Sequence, residues 1–395
     1  MDTPRHRNIT IGTALALINE LYFPIAIWLL FFLQYLDFTQ VAIIGALTTV
    51  SANVFEIPTG AISDLIGRKW TLFWSFIFSA VGILVVVNGH TFLIFAIGRI
   101  INGLGQSLYS GTQESLMYDT LKEHGHEQNY DHVTARVETI TWIGLFFAAL
   151  GGGFLYDIWK TGPFLITAGL YFLAAVLCIF IQEPSIDSEK FSLKNYVSQN
   201  VKGFSELFKD KRTTQISLLI ITITSGYFFA AKILGISQAK EYGMNGSGIG
   251  ILFGTGYIIA AIASHFYPFL RRKFGNLKLF IVATLALLSS FLFAPLVQVY
   301  LGSALIILRI SSSTTFNNAR SVLINRFISS KNRATALSTL TLLSRIPFTV
   351  SFYFVGKFID TNSPNAFALL LGVITIALLL PQVFFARNEL ITRRN

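Results

Sequence analysis

The chain has 395 residues, of which 53% are hydrophobic, 14% aromatic and only 13% charged, with 30 lysines and arginines against 20 aspartates and glutamates. A soluble domain carries about 25% charged residues, so this composition excludes most soluble classes and describes a polytopic membrane protein. The single cysteine, Cys178, excludes a disulfide framework and a cysteine-based metal centre.

A membrane-crossing helix needs roughly 20 mostly apolar residues. Along the chain this length predicts twelve spans, at 8–34, 40–62, 70–87, 91–116, 134–156, 162–182, 213–234, 246–267, 277–297, 300–318, 334–358 and 364–385. Turn-forming residues at 88–90 and at 295–298 divide two longer apolar runs. The first run is too long for a signal peptide and lacks a small-residue cleavage site, so it is expected to stay as the first span. Three regions follow: an N-terminal six-helix bundle at 1–182, a polar linker at 183–212 and a C-terminal six-helix bundle at 213–395. Within the linker, Tyr196, Val197, Val201, Phe204, Leu207 and Phe208 fall near helical spacing among lysines. This segment is either an amphipathic helix on the membrane surface or a plain tether.

Lysine and arginine collect on the cytoplasmic side of membrane proteins. With both termini cytoplasmic, 23 of the 30 cations fall on that face. The net charge of +10 therefore reports topology and gives no reason to expect a nucleic-acid partner. The expectation is a multi-pass plasma membrane protein, of the bacterial cytoplasmic membrane, acting as a monomer in the lipid bilayer.

The two halves resemble each other. Residues 60–72 follow the second span and 268–279 the eighth, with Gly67 and Gly275 placed 208 residues apart, and Arg99 and Arg309 stand 210 apart. Parallel repeats of this kind recur in transporters, with the substrate site near the midplane. Gly60, Asp64, Gly67, Arg68 and Lys69 fill the pattern G-x-x-x-D-x-x-G-R-K. Gly60 allows close helix contact, Gly67 permits a tight turn, Asp64 can face the positive end of another helix, and Asp119 is the acid placed to pair with Arg68.

This stretch resembles motif A of the major facilitator superfamily. The resemblance implies an all-α integral membrane fold of twelve transmembrane helices in two six-helix bundles related by pseudo-two-fold symmetry. It also implies a conformational gate made of Gly60, Asp64, Gly67, Arg68, Lys69 and Asp119, with Glu56 one turn before. The bland alternative makes Arg68 and Lys69 positive-inside anchors. Arg99, Gly103 and Gly105 are similar to the family's motif B, whose arginine is associated with proton transfer. Residues 144–153 keep the glycines of motif C but lack its Gly-Pro, so close helix packing is the simpler account of them. Residues 333–345 resemble the entry to the eleventh span in relatives and say little about substrate.

Six ionisable residues are singled out inside the spans: Glu20, Glu56, Arg99, Lys232, Arg309 and Arg345. Each is a functional candidate, because an unpaired charge in hydrocarbon costs at least about 2.5 kcal/mol. Glu20 lies mid-span, four residues before Pro24, whose kink can open backbone toward a cavity. A carboxyl group in such a cavity can exchange a proton near neutral pH, and a neighbouring arginine tunes it. Glu20 and Arg99 therefore form a candidate proton switch, unless they are a structural ion pair. Lys232, Arg309 and Arg345 can bind an anionic group, although Lys232 can also snorkel and the repeat relation gives Arg309 a structural alternative. Tyr22, Trp28, Trp142, Tyr227 and Tyr257 are the aromatic candidates for a cavity lining.

No Walker A pattern, metal-ligand cluster or nucleophile elbow is present, so no enzyme activity, cofactor or metal is expected. The span-one acid with motifs A and B resembles the drug:proton antiporters. It implies proton-coupled efflux of a small amphipathic molecule, the partners being substrate and protons. The alternatives are a proton-coupled organic-anion transporter, or a membrane sensor or lipid-handling protein on the same fold.

Overall fold

The structure, a computed structural model, describes residues 4–185, 193–329 and 333–391. The side chains of Glu56 and Asp64, the surroundings of Gly60, and the side chains of Tyr196 and Val197 lie outside the described part. In chain order the helices are α1 (Pro4–Glu20), α2 (Trp28–Phe32), α3 (Phe38–Val87), α4 (Phe92–Tyr109), α5 (Thr112–Glu123), α6 (Tyr130–Ile158), α7 (Gly162–Ile179) and α8 (Leu193–Leu207). They continue as α9 (Lys211–Phe229), α10 (Gly235–Glu241), α11 (Gly246–Phe274), α12 (Asn276–Leu292), α13 (Val299–Ile324), α14 (Arg333–Thr361) and α15 (Pro364–Ile391). Among the described residues eleven segments are long and apolar enough to cross a membrane, and α12 is a shorter apolar helix. Together they occupy the twelve places expected from the sequence.

The chain divides into two compact units, one of residues 1–193 with 245–254, the other of 194–244 with 255–395. Within the first unit, the opening turns of α11 meet α6. The Asp157 carboxylate accepts the Gly246 and Ser247 N–H groups at 2.8 Å each, a favourable charge at a helix N-terminus. Gly153 lies against Gly246 and Gly250 so closely that no Cβ would fit. Gly152 lies equally close to the Phe23 carbonyl. The glycine-rich run of the fifth span is thus used for backbone contact.

In both units the repeat glycine makes the same turn. Gly67 interrupts α3 at φ 84°, ψ 163°, and Gly275 separates α11 from α12 at φ 83°, ψ 152°. A side chain is strongly disfavoured at such positive φ. After Gly67 the freed amides of Arg68 and Lys69 donate to the Glu183 carboxylate at 2.7 and 2.9 Å, a cap on a helix start. After Gly275, the Asn276 side chain takes over: it donates to the Ala319 carbonyl at 3.0 Å and accepts from the Tyr267 hydroxyl.

The linker forms α8, which buries Gly203 against Thr335 and Thr339 of α14 and leaves Val201 and Phe204 exposed. The next helix, α9, starts at Asp210, whose carboxylate accepts from the Thr213 N–H at 2.8 Å. That bond holds the Asp210 carboxyl below its ordinary range.

These turns are separable by experiment. Gly275→Ala meets open space and suffers only the backbone strain, about 1–2 kcal/mol, whereas a Cβ at Gly67 also strikes the Glu183 carboxylate. Thermal unfolding in detergent should show Gly67→Ala as the more damaging change, and Glu183→Ala should narrow the gap. Equal losses from the two glycine substitutions would mean that the Glu183 cap constrains nothing. Asp210→Ala should cost about 1 kcal/mol at neutral pH as a lost cap. Because the folded carboxyl titrates below its unfolded value, this contribution is present above the ordinary aspartate range and disappears as pH falls through the folded value.

Candidate functional site

Helix α1 stops at Glu20, inside the segment expected to form one continuous span. Pro24 cannot donate a backbone hydrogen bond and rejects the helical geometry before it, so residues 21–27 unwind into a short 3₁₀ turn, Phe23–Ala26, before α2. Irregular backbone at membrane depth needs partners within the protein. Here the Phe23 N–H donates to Thr167 Oγ1 at 3.2 Å, and the Asn19 carbonyl accepts from the Tyr171 hydroxyl at 3.2 Å. Both partners come from α7, and the close approach of Gly152 seats the turn on α6.

The break collects ionisable and aromatic groups. Glu20 is half-buried; its carboxylate accepts from Asn19 Nδ2 at 3.1 Å, and its Cβ faces Gly144 of α6. Arg99 on α4 donates to Asn102 Oδ1 at 3.3 Å and lies within electrostatic reach of the Tyr22 hydroxyl. A small cavity lies beside it, lined by Tyr22, Gly82, Ile83, Asn102 and Phe164 among others. Tyr171, 2% exposed, is within electrostatic reach of Glu20, Tyr22, Tyr109 and Arg99. Glu20 and Arg99 therefore share a cluster, but no ion pair joins them among the described residues. Tyrosine hydroxyls and an asparagine stand in the place that a direct carboxylate contact would take.

The second unit has an irregularity at the corresponding place. Between α9 and α10 the residues Ala230–Leu234 form a π-helical turn, a feature often found at functional sites. Lys232 sits in this turn, exposed, over the Phe228 ring at 5.5 Å. Arg309 is enclosed at 3% exposure; it donates to Gln238 Oε1 at 2.9 Å and lies over the Phe291 ring. Tyr227, beside Arg309, donates to the Ala283 carbonyl at 2.7 Å and lies 2.9 Å from Ser312. Tyr227 lies beside Arg309 as Tyr22 lies beside Arg99, while Ser312, at the position of Asn102, donates to the Arg309 carbonyl instead of accepting from its guanidinium. Phe291, in place of Ile83, fills the space beside the second arginine.

Arg345, Trp28, Trp142 and Tyr257 are half-buried in α14, α2, α6 and α11. Trp28 stacks edge-on with Phe32 at 5.5 Å. At the gate candidates, Arg68 Nη2 and Asp119 Oδ2 are 2.6 Å apart in a buried ion pair, while Lys69 stacks its ammonium over Trp70. Three groups escape the sequence reading. Glu183 looks like the start of a linker until the fold brings it to Gly67. Arg320 lies within α13, which runs on to Ile324, and donates to Thr224 Oγ1 at 3.0 Å; the extended Ser/Thr/Asn run before it was the available signal. Glu114 on α5 is within electrostatic reach of Tyr109, after Gly111 has turned the chain at φ 78°. Among the described residues no group of His, Cys, Asp and Glu could hold a metal ion.

Comparison with known proteins gives a consistent placement. The sequence profile described as Major Facilitator Superfamily matches residues 9–238. An uncharacterised MFS-type transporter YxaM of Bacillus subtilis is 25% identical over 245 residues, 60% of this chain and 59% of that protein. A putative metabolite transport protein of Haemophilus influenzae is 29% identical over 213 residues, 49% of this chain and 51% of its own length. The chain thus spans about half the length of these curated relatives. An efflux pump, MMF1 of Mycosarcoma maydis, matches 25% of the chain at 32% identity. In fold, the nucleoside transporter NupG superposes with a TM-score of 0.78 over 97% of this chain and 99% of that one, at 12% identity. A family profile covering more than half the sequence makes this chain a member of the Major Facilitator Superfamily, with a multi-helix membrane fold that the structural match shares over nearly the whole chain.

Proposed function

We propose that the protein is a secondary active transporter that couples proton movement to efflux of a small amphipathic organic molecule by alternating access. The observation that carries this reading is the break in the first span. It holds Glu20 half-buried beside tyrosines, with no cation in ion-pair contact among the described residues. A carboxyl group so placed is free to gain or lose a proton without first breaking a salt bridge. Arg99 acts on it through the Tyr22 and Tyr171 hydroxyls, and the half-buried rings of Tyr22, Trp28, Trp142, Tyr227 and Tyr257 supply apolar surface with polar tips. Discontinuous helices in corresponding positions of two repeats point to the transport site, and the turns at residues 21–27 and 230–234 fit that description.

A second reading, transport of an organic anion, draws on the second unit, where Arg309 and Arg320 have neutral hydrogen-bond partners. Lys232 and Arg345 would join them as counter-charges. The relative named as an efflux pump favours export; the myo-inositol transporters of Cryptococcus neoformans and Saccharomyces cerevisiae, which match 18–19% of the chain, favour a small polar cargo. Orientation with both termini cytoplasmic rests on the cation asymmetry, and a bacterial plasma membrane and a monomeric working unit are parts of the same proposal.

Proteoliposomes with an imposed pH gradient test the coupling. Lipophilic cations should drive proton counter-movement in the wild type. Glu20→Gln should abolish proton-driven transport while leaving substrate counterflow measurable, and retained coupling in that variant would remove Glu20 from the role. Proton flux with organic anions alone would favour the second reading. Binding without turnover for either class would indicate a sensor.

Arg68 and Asp119 are proposed as part of a conformational gate together with Glu56, Gly60, Asp64, Gly67 and Lys69. Breaking a buried ion pair by removing one partner costs about 3–5 kcal/mol. Asp119→Asn and Arg68→Gln should therefore each lower both stability and turnover. The exchanged pair, Arg68→Asp with Asp119→Arg, should recover part of the stability. Single variants with full turnover would show that the pair does not gate.

A further inference from the structure

We infer that α8 and the residues just after it form a docking surface for anionic phospholipid at the cation-rich end of the second unit. The surface follows from the pattern of the helix. At about 100° per residue, Val201, Phe204 and Phe208 fall on one face, Gly203 and Leu207 on a second, and Lys202 and Lys209 on a third. The Phe208 N–H still donates to the Phe204 carbonyl at 3.2 Å, so the first face continues past the end of α8, and the two rings lie 4.6 Å apart. The second face is taken up inside the protein. Gly203 lies against Thr335 and Thr339 in the opening turns of α14, and Leu207 is fully buried, its carbonyl accepting from the Ser217 hydroxyl of α9 at 3.0 Å. The first face is open: Val201 is 63% and Phe204 51% exposed.

Position and charge decide what covers it. The contacts with Ser217 and Thr335 hold α8 beside the opening turns of two spans, the depth at which an amphipathic helix meets the boundary of headgroups and acyl chains. Lys202, Lys209 and Lys211 are exposed, as are Arg333, two residues before Thr335, and Arg326, three residues before Ser329. The acids of the region are engaged within the protein: Glu206 accepts from the Ser329 hydroxyl at 2.8 Å and pairs with Lys209 at 3.2 Å, and Asp210 caps α9. Exposed cations beside exposed apolar side chains complement a ligand with a negative head and hydrocarbon tails. Lysine stems can lie along the tails while their ammonium groups reach the heads, and basic segments beside membrane spans are drawn to anionic lipid. A zwitterionic lipid would cover Val201 and Phe204 but leave the cations uncompensated. An acidic soluble protein would compensate the cations but would have to reach an apolar face at the level of the acyl chains. The inference needs only the membrane fold and stands apart from the proton coupling proposed above.

The test uses the full-length protein with Val201→Cys, labelled with bimane and reconstituted into liposomes of phosphatidylcholine and phosphatidylglycerol. Cys178 is buried, so the label goes to the new thiol. A nitroxide placed high on the acyl chain of one lipid or the other quenches the fluorophore on contact. Both labelled lipids should quench, phosphatidylglycerol more strongly at equal mole fraction. Replacing Lys202, Lys209 and Lys211 together by glutamine should remove the preference and leave quenching by phosphatidylcholine, each lysine contributing up to about a fivefold factor in affinity. Raised salt should weaken the preference in the wild type. If the triple variant cannot be purified, Lys202→Gln, Lys209→Gln and Lys211→Gln singly decide, each with a smaller preference expected. No quenching by either lipid would overturn the inference, by showing that a protein partner or solvent covers the face. Equal quenching by the two lipids, or a preference that the lysine variants retain in full, would also overturn it, by showing insertion without recognition of the anionic headgroup at these residues.

Discussion

A backbone amide released from a helix in an apolar layer has no water to turn to, and most of this structure's departures from regularity are answers to that fact. The unwound turn after Glu20 is possible because Thr167 and Tyr171, one turn apart on α7, reach its freed groups. Gly152 removes the side chain that would otherwise hold the turn away. At the ends of the spans the freed groups are also paired: the Glu183 carboxylate receives the two amides exposed by Gly67. Asp157 does the same at the start of α11. The candidate functional groups fall at breaks where irregular backbone and charge require the same thing, buried polar partners, and one set of partners can serve both.

The repeat has kept backbone geometry while changing its chemistry. Gly67 and Gly275 share a turn, but the first is stabilised by ionic groups and the second by the neutral Asn276 and Tyr267. The two arginines likewise keep a tyrosine and a short polar residue beside them. Around Arg99 the packing leaves a small cavity; around Arg309, the larger Phe291 occupies the equivalent space and covers the guanidinium. One arginine thus borders a cavity and the other is covered by an aromatic ring.

Much of the fold was legible in the sequence because hydrophobic length and cation asymmetry are local signals that survive without an alignment. The five residues of the motif A pattern and the 208-residue offset located the two turns before their dihedral angles were known. The ends of the elements were less legible. Nothing in an apolar run says that Pro24 will end a helix four residues earlier, at Glu20, since a proline kink and a full break have the same local sequence. Arg320 lies just beyond the expected end of the tenth span at residue 318, in a polar Ser/Thr/Asn stretch that α13 nevertheless carries on to Ile324. Glu183 was unreadable for a different reason: its partners lie more than a hundred residues away, and only the fold brings them together.

The relation between Glu20 and Arg99 changed most in passing from sequence to structure. Two opposite charges in neighbouring spans suggest a salt bridge, and a salt bridge would oppose proton exchange by favouring the carboxylate. Among the described residues no ion pair joins them, and the Tyr22 and Tyr171 hydroxyls lie within electrostatic reach of Arg99, Tyr171 within reach of Glu20 as well. A hydroxyl both donates and accepts, so it transmits a change of charge by reorienting its proton, at a smaller cost than parting two buried ions. Under the proposed proton coupling, in which the acid alternates between two protonation states, a neighbouring tyrosine is therefore better suited to Glu20 than a directly bonded arginine.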